Sequence, residues 1–564
     1  GELEAAVADY TAAIALLPAG RAEAESYCFR GLALSDLGDL AAAVADFDQA
    51  ILLLPDDETH SVDRAEICLH RGLACFARGD LEAATVDYDQ AIGLYPEGRA
   101  FAADRARAYR LRGHVFLART DLEAAMEDYA QAIAILPDDD ACAIDRAEAY
   151  LDRGHALRAQ QDAEAAMADY SQAIDLFPDS AATAVPLSSA FHSRGMLYFD
   201  QGDAEAALND YSQAISFHPR YGMAYENRGR AREVQGDLQG AISDYSQAID
   251  IDPRKASAYL RRGATRRGMG DLEAAIADFG RAIVILPGGE AGDTVVAADK
   301  ARAYSERGQA RFDRGDLEAA VADYDQAIAL NPHEPKAYLY RGNARRVQRD
   351  YDLAVADYAR AIELSPDSAG RAAAYHERGH TLADQGDLAG AMEDYDRAIA
   401  LFPEGSQKAA AYRIRGDARA ALGELAAGIA DYAKAIALYP ADDQVQGLEA
   451  EAKAGTYLLR ANTYYDLGDL EPALADYDRV VALNGQESKV FNNRGLARAD
   501  HGDLDGAIKD YSQSIALNPQ DAWAYYNRGL ARAERGDLED AIVDYSQAIA
   551  LFPDGRDKAT AYNN

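Results

Sequence analysis

The stretch AYYNRGLARAERGDLEDAIVDYSQAIALFP, Ala524 to Pro553, decides the fold because the chain has already written it once. From Ala224 to Pro253 it reads AYENRGRAREVQGDLQGAISDYSQAIDIDP. A phrase recurring at a fixed period marks an array of small supersecondary units rather than one folded core. Each copy carries two apolar patterns. The first contains Tyr-x-x-Arg-Gly. The second runs Leu-x-x-Ala-hydrophobe-x-Asp-Tyr-x-x-Ala-Ile, with its apolar residues three and four apart, the spacing of one helix face. A Gly-Asp step such as Gly536-Asp537 separates them, with the aspartate placed to cap the second helix. A proline such as Pro553 stops that helix.

Outward from this copy the phrase covers the chain. Its Asp-Tyr or Asp-Phe step falls at Asp9, Asp46, Asp87, Asp128, Asp169, Asp210, Asp244, Asp278, Asp323, Asp357, Asp394, Asp431, Asp476, Asp510 and Asp544. The shortest spacing is 34 residues (Asp210 to Asp244); others exceed it by 3, 7 or 11. Those excesses approximate one, two and three helical turns. All lie between a proline stop and the next Arg-Gly, in alanine-rich sequence such as DRARAYRLRG, Asp104 to Gly113. The expectation is that several first helices are lengthened at their N-termini by whole turns.

The unit resembles the tetratricopeptide repeat, in the long bacterial type of array. Tyr525, Gly529, Ala541, Tyr545, Ala548 and Pro553 fall on that family's aromatic, small-residue and proline framework. The resemblance implies an all-α fold, a right-handed α-solenoid superhelix of antiparallel helix pairs. The expected organisation is one continuous array over residues 1–564, with an unpaired second helix at 1–18 and a truncated first helix at 556–564, cut from a longer chain. One departure is systematic: arginine precedes the glycine where the family usually has leucine. This arginine lies eight residues before the turn glycine, and the aspartate of Asp-Tyr eight after it. In an antiparallel hairpin the two stand at the same height, which predicts structural ion pairs such as Arg262–Asp278 and Arg528–Asp544.

In this family the first helices line a concave groove, so ligand-binding residues are expected at their variable positions. Arg230, Arg267, Arg302, Lys336 and Arg346 fall there, with Asn343 beside them, as a track suited to carboxylates or an extended acidic segment. Trp523, the only tryptophan, and Tyr526 offer apolar anchoring area. Groove cations and anions nearly balance, so the net charge of −38 lies mainly on other faces. That charge, with a pI of about 4.6, excludes a nucleic-acid binder, which needs lysine and arginine against phosphates, and disfavours an anionic membrane surface.

One motif points elsewhere. HERGH, His376 to His380, matches H-E-x-x-H, in which a helix presents two zinc ligands and a general base. Yet Arg378 and Gly379 belong to the repeat, and Glu377 has a counterpart in Glu306 of YSERG. A third protein ligand is not announced. His376 and His380 are therefore read as two groove histidines, and no metal, cofactor or catalytic residue is expected. The four cysteines, Cys28, Cys68, Cys75 and Cys142, contain no C-x-x-C and read as free thiols of a reducing compartment; with no apolar run long enough to span a bilayer, a cytoplasmic location is expected. The function expected is a non-catalytic protein–protein interaction scaffold that binds a peptide or protein segment in its groove. The alternatives are a sensor or regulatory arm of a larger effector enzyme, or a repeat protein that self-associates through open ends into filaments.

Overall fold

Two local devices make most hairpins, although Asp537, expected to cap Leu538–Leu551, makes no cap bond and accepts from Arg535 instead. The turn glycine adopts positive φ, +85° at Gly38 and +102° at Gly536, a region costly to residues with a Cβ. The aspartate after it then caps the second helix: the side chains of Asp39, Asp80, Asp203 and Asp503 accept from the backbone N–H three residues on. Thr120, Gln161 and Arg349 occupy the glycine position in three turns and still take φ of 61°, 69° and 67°. The helix on either side dictates the turn even where the residue opposes it.

The computed structural model describes residues 1–287, 294–484, 487–553 and 555–563. Among them the chain is an all-α array of antiparallel helix pairs, with no strand. It divides into two compact units, Gly1–Ile285 and Leu286–Asn564. In the first, a single helix Glu2–Leu16 precedes hairpins that run from Arg21–Asp36 with Leu40–Leu53 to Ala256–Gly268 with Leu272–Ile285. In the second, hairpins run from Thr294–Arg314 with Leu317–Leu330 to Ala522–Arg535 with Leu538–Leu551, and a short helix Arg556–Asn563 follows. Within each unit every hairpin packs on the next, the nearest-neighbour stacking of an α-solenoid.

The core is thin and made of alanine and tyrosine. Ala84, Ala125, Ala241 and Ala354 have no exposed surface, and the Asp-Tyr rings of Tyr88, Tyr129, Tyr245 and Tyr358 are fully buried. Each ring lies on the glycine of its own hairpin's Arg-Gly. A Cβ at Gly72 would stand 2.6 Å from Tyr88 Cε1, and one at Gly529 2.8 Å from Tyr545 Cε1. The glycine is thus required by close approach. Ala461 is the exception, buried in the same cluster as Tyr477.

The lengthening of first helices is present but not in the expected steps. Helices of 34-residue units span 13 or 14 residues, as in Gly222–Val234 and Ala522–Arg535. Three extra residues give 16 or 17, as in Arg21–Asp36 and Ser368–Asp384. Seven extra residues also give only 17, as in Ser61–Ala77 and Ala184–Asp200. In three of those four units part of the insertion forms a 3-10 turn instead: Glu58–His60, Arg99–Phe101 and Asp140–Cys142. Asp57 and Asp139 explain two of these. Their carboxylates accept the amides of Thr59 and His60, and of Cys142, which competes with α-helical bonding at that point. Eleven extra residues give 21, in Thr294–Arg314 and Gly447–Leu467. Residues 288–293 of one such insertion, and the last residue of the 556–564 stub, lie outside the described residues.

Candidate functional site

The repeated arginine faces into the hairpin. Arg528 donates from Nε and Nη2 to Asp544 Oδ2 and Oδ1 at 2.9 and 2.6 Å. Arg262 does the same to Asp278 at 3.0 and 2.7 Å. Each guanidinium also lies over the tyrosine one turn earlier, 5.6 Å from the ring centres of Tyr525 and Tyr259. The fork-to-fork geometry recurs along both units, for example at Arg112–Asp128 and Arg378–Asp394. Burial costs the carboxylates part of this gain: desolvation pushes Asp87 and Asp128 above the usual aspartate range against the pull of Arg71 and Arg112.

A further contact was not foreseen from the sequence. The remaining amine, Nη1, reaches back to the preceding hairpin and donates to the residue immediately after its Asp-Tyr. Arg528 bonds Ser512 at 3.0 Å, Arg262 bonds Ser246 at 2.9 Å, Arg228 bonds Ser212 at 3.2 Å, and Arg494 pairs with Asp478 at 2.7 Å. The signal was present as the alternation of DYS and DYD with DYA. Where that third residue is Ala130, Ala359 or Ala433, the next arginines, Arg153, Arg378 and Arg460, bond only within their own hairpins among the described residues.

With the framework arginines occupied, the residues predicted to meet ligand lie on the variable face of the first helices. Much of its polar surface ties one first helix to the next. In the first unit Arg110 bonds Asp152 and Glu148 one hairpin on, and Lys255 bonds Glu226 at 2.8 Å. Asn227 Nδ2 lies 2.9 Å from His192 Nε2, and Tyr221 Oη lies 3.2 Å from His192 Nδ1. Since Asn227 Oδ1 accepts from Arg230, the amide donates to Nε2 and the imidazole keeps its proton on Nδ1. Burial, reinforced by Arg158 and Lys255, pulls His192 down to about 4. Arg230 also lies 4.8 Å from the centre of the Phe199 ring, and Arg267 sits in the last turn of its helix, Ala256–Gly268.

In the second unit the predicted residues separate into four pairs. Arg302 and Lys336 share a cavity of about 400 Å³ between Thr294–Arg314 and Pro335–Val347, with Tyr340, Asn331, Asp299, Glu306 and Glu334 in its walls. Both cations are exposed, while Glu306 and Glu334 are half-buried. Asn343 and Arg346 instead make internal contacts. Tyr358 Oη donates to Asn343 Oδ1 at 2.9 Å, and Arg346 bonds Asp384 at 3.2 Å with Glu377 4.0 Å away. His376 and His380 pack edge to face at 5.0 Å. Burial and the neighbouring His376 pull His380 down to about 4. Burial pushes the Glu377 carboxyl up, but His376, His380 and Arg346 outweigh it and hold it below the usual glutamate value. Among the described residues no group of three His, Cys, Asp or Glu side chains is placed to hold a metal. Trp523, half exposed, meets Phe552 and Tyr526 edge-on at 5.0 and 5.7 Å.

Comparison with known proteins gives the same reading of the repeat. Profiles described as "Tetratricopeptide repeat" match residues 24–57, 65–97, 147–180, 192–256, 305–369, 372–404, 454–487 and 522–554, and one described as "TPR repeat" matches 495–534. No curated protein matches the chain. Among solved structures, the APC/C hetero-tetramer Cut9–Hcn1 is similar at 13% identity over 93% of this chain and 98% of that one, with a TM-score of 0.36. A tetratricopeptide repeat protein from Parabacteroides merdae is 19% identical over 46% and 93%, TM-score 0.36, and yeast Tom70 is 15% identical over 74% and 94%, TM-score 0.32. No helix among the described residues is long and apolar enough to cross a membrane. With repeat profiles matching more than half of its length, the chain belongs to the tetratricopeptide repeat family, whose fold is generally a non-catalytic scaffold for protein interaction.

Proposed function

We propose that the first-helix face forms a groove that binds an extended segment of a partner protein, and that in the second unit this segment carries a carboxylate. The observation that carries the reading is the pairing of Arg302 and Lys336 at the mouth of one cavity. Neither is held in an ion pair among the described residues, whereas Arg346 is already bound to Asp384. Two unpaired cations from successive first helices, with Tyr340 between their elements, fit an acidic side chain or chain terminus on an apolar surface. Arg346 and Asn343, part of the same track on sequence grounds, support it by fixing neighbouring helices rather than by meeting ligand.

The test is fluorescence anisotropy on the full chain with a labelled acidic octapeptide, free or amidated at its C-terminus. Lys336→Glu with Arg302→Glu is expected to weaken binding by about a hundredfold, on the order of tenfold per lost charge-assisted contact. Arg267→Glu is expected to change it little. Equal affinity of the double variant and the native chain would remove the proposed site.

A further inference from the structure

The first two hairpins of the first unit present the opposite chemistry. Between the first helices Arg21–Asp36 and Ser61–Ala77 lies a cavity of about 280 Å³. Phe29, Leu32 and Ile67 form apolar wall, and Phe29, stacked on Tyr10 at 5.8 Å, is still 49% exposed. The rim carries Glu25, Asp63 and Glu66. Arg21 bonds two of these, Glu25 at 3.0 Å and Asp63 at 3.2 Å, from an exposed position. Glu66 is exposed and has no ion-pair partner among the described residues.

Neighbouring groups report the local potential. The Glu66 carboxyl is raised by burial and then by Asp104 and Asp63, against Arg107. The Cys28 thiol, in the wall, is pushed up to about 11 by burial and then by Glu66 and Glu25. His70, also in the wall, is lowered by burial and Arg107, so at neutral pH it adds no positive charge. An apolar slot with a carboxylate at its rim that no ion pair among the described residues holds is complementary to one kind of side chain. That side chain has an aliphatic stem and a cationic head, and buries the first while keeping the second at the edge.

We propose that this cavity takes an arginine or lysine side chain of a partner segment, with the stem against Phe29, Leu32 and Ile67 and the cation on Glu66. Arg21 already shows how a guanidinium is held on the other two carboxylates. The inference rests on the reading that first-helix faces bind extended segments, but it uses different residues in the other unit.

The probe is the labelled peptide Gly-Ser-Leu-Arg-Leu-Arg-Ser-Gly, compared with its Arg-to-Glu counterpart on the full chain. The arginine peptide is expected to bind more tightly, and Glu66→Lys to weaken it at least about tenfold. Glu66 is exposed and without a hydrogen bond, so this variant keeps its fold, as circular dichroism will verify. Glu539→Lys, the same charge change on an exposed second-helix position, is expected to leave binding unchanged. Equal binding of the two peptides, an unaltered affinity in Glu66→Lys, or an equal loss in Glu539→Lys would each overturn the proposal; the last would show only attraction to a chain of charge −38. Lys336→Glu separates the two sites. That variant is expected to lose the acidic peptide and keep the arginine peptide; a native chain that binds only the arginine peptide removes the Arg302–Lys336 site, and one that binds only the acidic peptide removes this cavity.

Discussion

Asp544 is 1% exposed, and its carboxylate is held in that buried place by two bonds from Arg528 and a third from Arg532 Nη1 at 2.7 Å. A buried ion pair adds little net stability over a well-packed apolar pair, but removing one partner strands the other. Asp544→Leu, which takes the carboxylate from both arginines, is therefore expected to destabilise the last hairpin by about 3 kcal/mol or more, and Arg528→Met by less, because Arg532 still bonds Asp544. The two together are expected to cost much less than their sum. Urea denaturation followed by Trp523 fluorescence checks this locally, since the only tryptophan lies in the same hairpin. His192 makes a second prediction at this scale. It is 3% exposed, and its value of about 4 in the fold lies below its ordinary 6.5. The unfolded chain thus takes the proton more readily, so stability is complete above pH 6.5 and is lost as pH falls toward 4. The loss reaches about 3 kcal/mol. The difference between native chain and His192→Phe in urea titrations at pH 7 and pH 4.5 isolates this contribution from the many carboxylates. If the variant keeps the full slope, His192 is not the cause.

At the scale of the element, the turn shows how much of the geometry each residue resists. Thr120 is β-branched and holds φ of 61°, where a Cβ costs about 1–2 kcal/mol. Thr120→Gly is expected to stabilise its hairpin by about 1 kcal/mol, read as slower hydrogen exchange in Ala102–Ala118 and Leu122–Ile135. Slower exchange would not appear if another feature of that turn already relieves the strain. The hairpin was largely legible in the sequence because all of its determinants are local: turn glycine, capping aspartate, proline stop, and a fixed separation of sixteen residues from Arg262 to Asp278 or Arg528 to Asp544. The insertions were less legible. Their lengths match helical turns, but Asp57 and Asp139 engage nearby amides and turn part of the added chain into 3-10 geometry. Groove assignment was legible only as position. Lys336 and Arg346 look alike as letters, and what separates them is Asp384, thirty-eight residues beyond Arg346, a contact set by how neighbouring hairpins stack.

Across the whole molecule, each unit is a sum of like parts, so its behaviour depends on the joints between hairpins more than on any central core. The joints are not equal. Inside the two units, most arginines bind both their own hairpin and the residue after Asp-Tyr in the one before; Arg153, Arg378 and Arg460 face Ala130, Ala359 and Ala433 and lack that second hold. Under tension these three joints are where the units themselves should yield first, one in the first unit and two in the second. An alternation that passes for neutral drift between serine, aspartate and alanine thus sets an order of rupture: a unit stretched from its ends would let go in blocks of hairpins, and each block would keep its first-helix face intact while the length between the ends grew.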